Sequence, residues 1–133
     1  MIAFISCVKT KQNHPCKAQE MYISDLFKKS LKYAKQHADK IYILSAKYGL
    51  LKLDEIIYPY EKTLNGLSEY EKKEWAYKVF KQFINEGGNN NEPCMFICGK
   101  NYRKYLMQKF PNAKAPLKDL SFGNQLKWLK EHT

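Results

Sequence analysis

Two short stretches of the chain concentrate side chains that could do chemistry. In Ile5-Ser6-Cys7-Val8-Lys9-Thr10-Lys11 a cysteine stands beside a serine and close to two lysines. Ammonium groups near a thiol favour its thiolate, which makes Cys7 a candidate nucleophile. The second stretch, Ile43-Leu44-Ser45-Ala46-Lys47-Tyr48-Gly49-Leu50-Leu51, is followed by Asp54, Ile57, Pro59, Tyr60 and Thr63. Lys9, Lys11 and Lys47 offer mobile donors to a phosphate, and Ser6 and Ser45 add neutral ones. Asp54 can serve as a general base, or activate a water near a glycosidic carbon. Tyr22, Tyr48 and Tyr60 present ring faces on which an extruded base can stack. Cys7, Lys47 and Asp54 are thus the catalytic candidates. Ser6, Lys9, Lys11, Tyr22, Ser24, Ser45, Tyr48, Gly49 and Tyr60 are the candidates for holding substrate.

Plainer roles stand beside each of these. A cysteine ending an apolar strand is ordinarily a small hydrophobe, and a lysine in a turn is ordinarily solvated. Gly49 suits a backbone position with positive φ better than a ligand contact. Tyr48 and Tyr60 can pack under the loop they belong to, and Asp54 can brace it.

Charge points to the partner. Lysine and arginine total 23 against 13 acidic residues, a formal charge of +10. That excess favours a polyanion, with nucleic acid ahead of a membrane surface. Lys28, Lys32 and Lys35 share a helical face, and Lys100 and Arg103 follow a strand end; these five are the candidates for nucleic-acid contact. Arg103 is the one arginine. Lysine meets phosphate as a point charge and lacks the planar fork that reads guanine, so backbone contact is expected. The competing explanation is compositional bias toward Lys, Asn and Ile.

The elements that must position these groups follow from apolar patterning. Residues 2–7, 41–45 and 94–98 read as buried strands, and 46–51 as a turn leaving the second of them. Ser24 caps a helix running to about residue 38. Residues 52–67 read as an ordered loop, closed by Asn65-Gly66. Ser68 with Glu71 forms a capping box for a helix through Trp75, Val79, Phe80 and Phe83. Gly99-Lys100 leads into a helix carrying Tyr102, Tyr105 and Leu106, and a last helix covers 121–131. Helical segments between strands predict an α/β fold: one compact domain, a mostly parallel central sheet and helices flanking it. Ligands gather at the carboxyl ends of such strands, where Ser6 to Lys11, Ser45 to Leu51 and Gly99 to Tyr102 converge.

Several classes are disfavoured. No P-loop, dinucleotide fingerprint, zinc spacing or serine-hydrolase elbow is present, so neither cofactor nor metal is expected. Cys94 and Cys98 lie four apart on a strand, roughly 13 Å, too far to share one ion. Cys7, His14 and Cys16 could meet around a metal, but ordinary side-chain roles are favoured. No segment approaches the roughly 18 apolar residues of a membrane span and no secretory signal is visible, so a cytoplasmic protein with free thiols is expected.

The two motifs together resemble the YaaA-like superfamily, in which an I-S-x-x-K-T stretch precedes L-S-x-x-Y-G-L-L continuing into I-x-P-Y. The chain is most similar to short single-domain relatives with S-C-x-x-K and S-A-K-x-G-L-L forms. The resemblance covers residues 1–67, with an echo at Pro116-Leu117 and Gly123 to Leu129, where those relatives carry P-L…G-x-Q-L-x-W-L. It implies a compact α/β fold and association with DNA. The segment from Cys7 through Lys11 to Tyr22 and Ser24 is also similar to a C-x-x-K-P-Y-x-x-S stretch of archaeosine synthases, which modify a deazaguanine base in transfer RNA. The resulting expectation is a nucleic-acid-associated protein acting on a base or its N-glycosidic bond. The alternatives are a non-catalytic DNA- or RNA-binding module and an enzyme on a small nucleotide. The oligomeric state is left open.

Overall fold

In the computed structural model, which describes residues 1–6 and 11–133, strict alternation sorts the first strand onto two apolar faces. Strand β1 (Ile2–Ser6) is buried along its whole length. Ile2 and Phe4 point into one core, and Ala3 and Ile5 into the other. A strand buried on both faces belongs in the middle of a sheet, and β1 is central.

The elements that follow are β2 (Cys16–Lys17), α1 (Ala18–Met21), α2 (Asp25–His37), β3 (Lys40–Ser45), β4 (Gly49–Lys52) and β5 (Ile56–Ile57). After these come α3 (Glu69–Asn85), β6 (Cys94–Ile97), α4 (Lys100–Arg103), a 3-10 turn (Met107–Lys109), β7 (Ala113–Lys114) and α5 (Phe122–His132). The five-stranded sheet has the order β4-β3-β1-β6-β7. β3 and β6 flank β1 in parallel, β7 is parallel to β6, and β4 is antiparallel to β3. β2 and β5 form a separate two-stranded ribbon.

Helices cover both faces. Phe4, Leu44 and Phe96 pack with Trp75, Val79 and Phe83 of α3 and with Phe110, which sits among Phe4, Phe83 and Phe96 at centroid distances of 5.1–5.6 Å. Ile5, Ile43 and Ile97 pack with Met21, Phe27, Ala34 and Leu129 from α1, α2 and α5. The fold is the expected α/β domain with a mostly parallel sheet between helices.

The caps predicted from sequence are present. Ser24 Oγ accepts from Phe27 N at 3.2 Å, and Ser68 and Glu71 exchange both bonds of a capping box. Three local readings need correction. The 46–51 turn is confined to residues 46–48, and the chain then returns as β4, a hairpin strand whose residues Leu50 and Leu51 are buried. The 52–67 segment is interrupted by β5, because Ile57 is buried against β2. The helix after Gly99 ends at Arg103 and gives way to a turn and the 3-10 segment, a path that delivers Leu106 and Phe110 into the core.

The exposed side of β4 is closed by a side chain. Gln82 of α3 accepts from Leu50 N at 2.9 Å and donates to Tyr48 O at 3.2 Å, as a neighbouring strand would. Gly49 lies between these bonds with φ +77°, and a Cβ there would collide with Gln82 Oε1. Gly49 therefore answers both to backbone conformation and to the approach of the amide.

Candidate functional site

The sheet makes its own crevice. From the carboxyl end of β1 the chain leaves toward α2 and β3, whereas from β6 it leaves the other way, toward α4 and β7. Between the two divergent exits lies the place where open parallel sheets bind ligands. A cavity of about 490 Å³ opens there, inside the range of roughly 300–1,000 Å³ typical of small-molecule sites.

Four parts of the chain line it. Ser6 ends β1; Ile97, Cys98, Gly99, Lys100, Asn101 and Tyr102 follow β6; Ser24, Asp25, Leu26 and Ser30 come from the start of α2; and Leu117, Phe122 and Gln125 come from the C-terminal segment. Asn65 completes the rim, accepting from Asn101 Nδ2 at 2.6 Å. Ser24 lines the cavity and also caps α2, so the first turn of that helix is fixed at the wall. Leu26, Ile97, Tyr102, Leu117 and Phe122 supply apolar surface. The serine hydroxyls and the Asn65, Asn101 and Gln125 amides supply neutral donors and acceptors.

Charge enters through two groups. Asp25 lines the mouth and is 67% exposed, and both of its carboxylate oxygens accept from Lys29 Nζ, at 2.9 and 3.0 Å. Lys100, at the start of α4, is exposed and is the cation among the lining residues. Burial pushes the Cys98 thiol up to about 12, against a smaller lowering by Arg103, whose Nη1 donates to the Cys98 carbonyl at 3.2 Å. Cys98 therefore faces the cavity as a neutral thiol near pH 7. Among the described residues, no three His, Cys, Asp or Glu side chains gather as metal ligands would.

Of the residues singled out by sequence, Ser6, Ser24 and Lys100 line the cavity. Cys7 and Lys9 lie outside the described residues. Beside the cavity, Tyr22, Ser45 and Tyr60 form a hydroxyl chain: Tyr22 Oη and Tyr60 Oη lie 2.6 Å apart, and Ser45 Oγ donates to Tyr60 Oη at 2.9 Å. Ser45 Oγ also accepts from Tyr48 N at 3.0 Å, and its carbonyl accepts from Trp75 Nε1 at 3.0 Å. Trp75 meets Tyr102 edge to face at 5.5 Å, which joins this chain to the cavity wall. Burial holds the Tyr22 phenol well above its ordinary value, so it is a neutral donor or acceptor. Lys11 bridges to Tyr22 through its backbone, and its ammonium sits 4.7 Å over the Tyr60 ring. The Tyr48 hydroxyl accepts from Tyr58 N at 3.1 Å, pinning the loop that carries Tyr60. Lys47 is exposed at the hairpin turn, 5.3 Å over the Tyr48 ring.

Asp54 stands elsewhere. Because β4 runs antiparallel to β3, it carries the chain away from the strand ends, and Asp54 follows Lys52, which pairs with Tyr42. Its carboxylate accepts from Gln19 Nε2 at 2.7 Å and lies 3.8 Å from Lys17 Nζ. The same Gln19 accepts from Lys35, so Asp54 holds α1, and Gln19 in turn links α1 to α2. Lys28 and Lys32 are exposed on the outer face of α2, and Arg103 is engaged with the Cys98 carbonyl.

Asp25, Asn65, Cys98, Asn101 and Gln125 were not anticipated as site residues. A signal existed for some of them. Gly99 to Tyr102 was expected at the strand ends, and the C-terminal P-L…G-x-Q-L pattern contains both Leu117 and Gln125. Asp25 gave none, since an acidic residue after an N-cap is ordinary helix chemistry.

The model of the family DUF6884, described as a family of unknown function, matches residues 2–131, and the chain belongs to that family. It is also similar to the uncharacterized protein YfjM of Bacillus subtilis (strain 168), with 30% identity over 92 residues. That match covers 69% of this chain and 61% of the relative.

Proposed function

We propose that this family member is a nucleic-acid-associated protein whose cavity receives a nucleobase and acts on the base or its N-glycosidic bond. The observation that carries the reading is the cavity itself: a half-open, largely apolar chamber at the switch between β1 and β6, rimmed with neutral hydrogen-bonding groups. Those are the elements a flipped base needs, namely aromatic or apolar walls for its faces and directed polar groups for its edge. The +10 charge supports a polyanionic carrier for that base,. The likeness of both sequence motifs to the YaaA-like superfamily supports the same class.

Within this reading Asp25 takes the role first considered for Asp54, because it is the carboxylate at the cavity. It accepts a proton or hydrogen bond from the bound ring, and Asn101 and Gln125 orient the ring edge. Lys100 meets the flanking phosphate. Cys98 lines the chamber as a neutral thiol rather than an attacking thiolate.

Fluorescence anisotropy with labelled single-stranded DNA, duplex DNA and RNA at two salt concentrations tests the first half. Salt-sensitive binding at sub-micromolar concentration is expected for one of them. Chromatography for released or altered bases tests the second half, with Asp25→Asn expected to retain binding and lose product. Absence of oligonucleotide binding at low salt, together with a raised melting temperature in mononucleotides, identifies a small-nucleotide enzyme instead.

A further inference from the structure

The long helix α3 turns a second, unassigned surface outward. Tyr70, Tyr77 and Ile84 recur at seven-residue spacing along it and are 71%, 56% and 43% exposed. Lys73 and Lys81 fall between them on the same face. The neighbouring turn after α4 adds Lys104, Tyr105 and Lys109. Each of two tyrosine rings is flanked by two ammonium groups. Lys73 and Lys104 both lie 5.3 Å from the Tyr105 ring, and Lys81 and Lys109 lie 5.5 and 5.9 Å from the Tyr77 ring. The acidic groups nearby are engaged: Glu69 with Lys72, Lys104 and Tyr105, and Glu74 with the Tyr70 hydroxyl.

We infer that this face is a track for single-stranded nucleic acid, with Tyr70 and Tyr77 stacking bases and Lys73, Lys81 and Lys109 meeting the phosphates. Exposed aromatic faces interleaved with cations are what sequence-independent single-strand binding requires. A duplex would offer its phosphates but not its base faces, so tyrosines would add nothing to it. Tyr70 and Tyr77 lie about 10 Å apart along the helix axis, a span of a few nucleotides. The start of the track is tied to the rim of the cavity. Asn65 on the rim is three residues before the α3 cap and bonds Asn101, while Lys104 and Tyr105 tie the start of α3 to the segment that follows Lys100. A strand lying along α3 therefore arrives at the chamber where one of its bases is to be received. The inference rests on the proposed function and supplies its substrate form: an unpaired strand.

The test is anisotropy of the full chain with a labelled 12-nucleotide single-stranded DNA and with the corresponding duplex. Tyr70→Ala/Tyr77→Ala should weaken single-strand binding by about tenfold or more and leave duplex binding little changed. Tyr77→Phe, which keeps the ring, should bind like the parent. Lys73→Gln/Lys81→Gln should lower the slope of log affinity against log salt by about 1.4. Lys118→Gln/Lys130→Gln, remote from the track, serves as the charge control, and melting curves confirm that each variant folds. If the parent binds single strands and the tyrosine pair does not matter, or if loss follows Lys28, Lys32 and Lys35 instead, the track is wrong while the proposed function stands. If the parent binds no oligonucleotide at low salt, or binds anionic vesicles in its place, both fall.

Discussion

At the residue scale, the side chains with unusual demands are those wedged between elements. Gly49 holds φ +77° directly against the Gln82 amide. Gly49→Ala should cost about 1–2 kcal/mol from backbone strain alone. Displacement of Gln82 adds to this by releasing its bonds to Leu50 N of β4 and to the Tyr48 carbonyl in the turn before it, and urea titration of parent and variant measures the sum. Cys98 makes a prediction with a sign. Its thiol is pushed up to about 12 by burial, so the folded chain keeps a proton that the unfolded chain releases near pH 8.5. That contribution to stability is complete below about pH 8.5 and disappears as pH rises toward 12. The stability difference between the parent and Cys98→Ala should therefore shift against the parent over that window, and iodoacetamide labelling of Cys98 should be slow at pH 7.5 and still accelerating at pH 10. Rapid labelling at pH 7.5 would contradict the half-buried, neutral thiol.

At the element scale, the strongly patterned pieces were legible. β1, β3 and β6 are legible as apolar runs, α2 and α3 by their caps and apolar spacing, and α5 by its apolar residues alone. What escaped was short and depended on partners: β2, β5 and β7 have two residues each, too few for a pattern, and exist through pairing. The misplacement of Asp54 has the same origin. Reading 46–51 as a turn kept the chain near the strand ends, whereas β4 carries it back along β3. The α3 cap gives a direct check: Ser68→Ala removes one half of the capping box and should cost about 1 kcal/mol in chemical denaturation. Glu69, one residue later, is held down to about 2 by Lys104, Tyr105 and Lys72, which ties α3 to the segment after α4. A lowered carboxylate contributes stability above its unfolded value and loses it as pH falls toward its folded one. Glu69→Gln should therefore narrow the stability gap between pH 5 and pH 2.5, as followed by thermal melting at each pH.

At the scale of the whole molecule, topology built a site that the motifs only outlined. The strand ends were expected to converge, and Ser6 and Lys100 do so. The partners that close the cavity come from residues 117–125, far along the chain, where no local pattern shows that they return to β1. Sequence therefore locates the strand ends but not the far wall of the cavity. The cavity also couples binding to stability, since a ligand held by α2, α4 and α5 together must raise the melting temperature in proportion to its occupancy. The Gln82 amide has a further consequence for behaviour in concentrated solution. It occupies hydrogen-bonding positions at the start of β4, on Leu50 N and the preceding Tyr48 carbonyl, that another polypeptide would otherwise recruit,. Gln82→Leu should leave the helix formed but uncover that border, favouring edge-to-edge self-association and, on prolonged incubation, thioflavin-positive fibrils. One amide thus acts as a guard against misassembly as much as a fold contact.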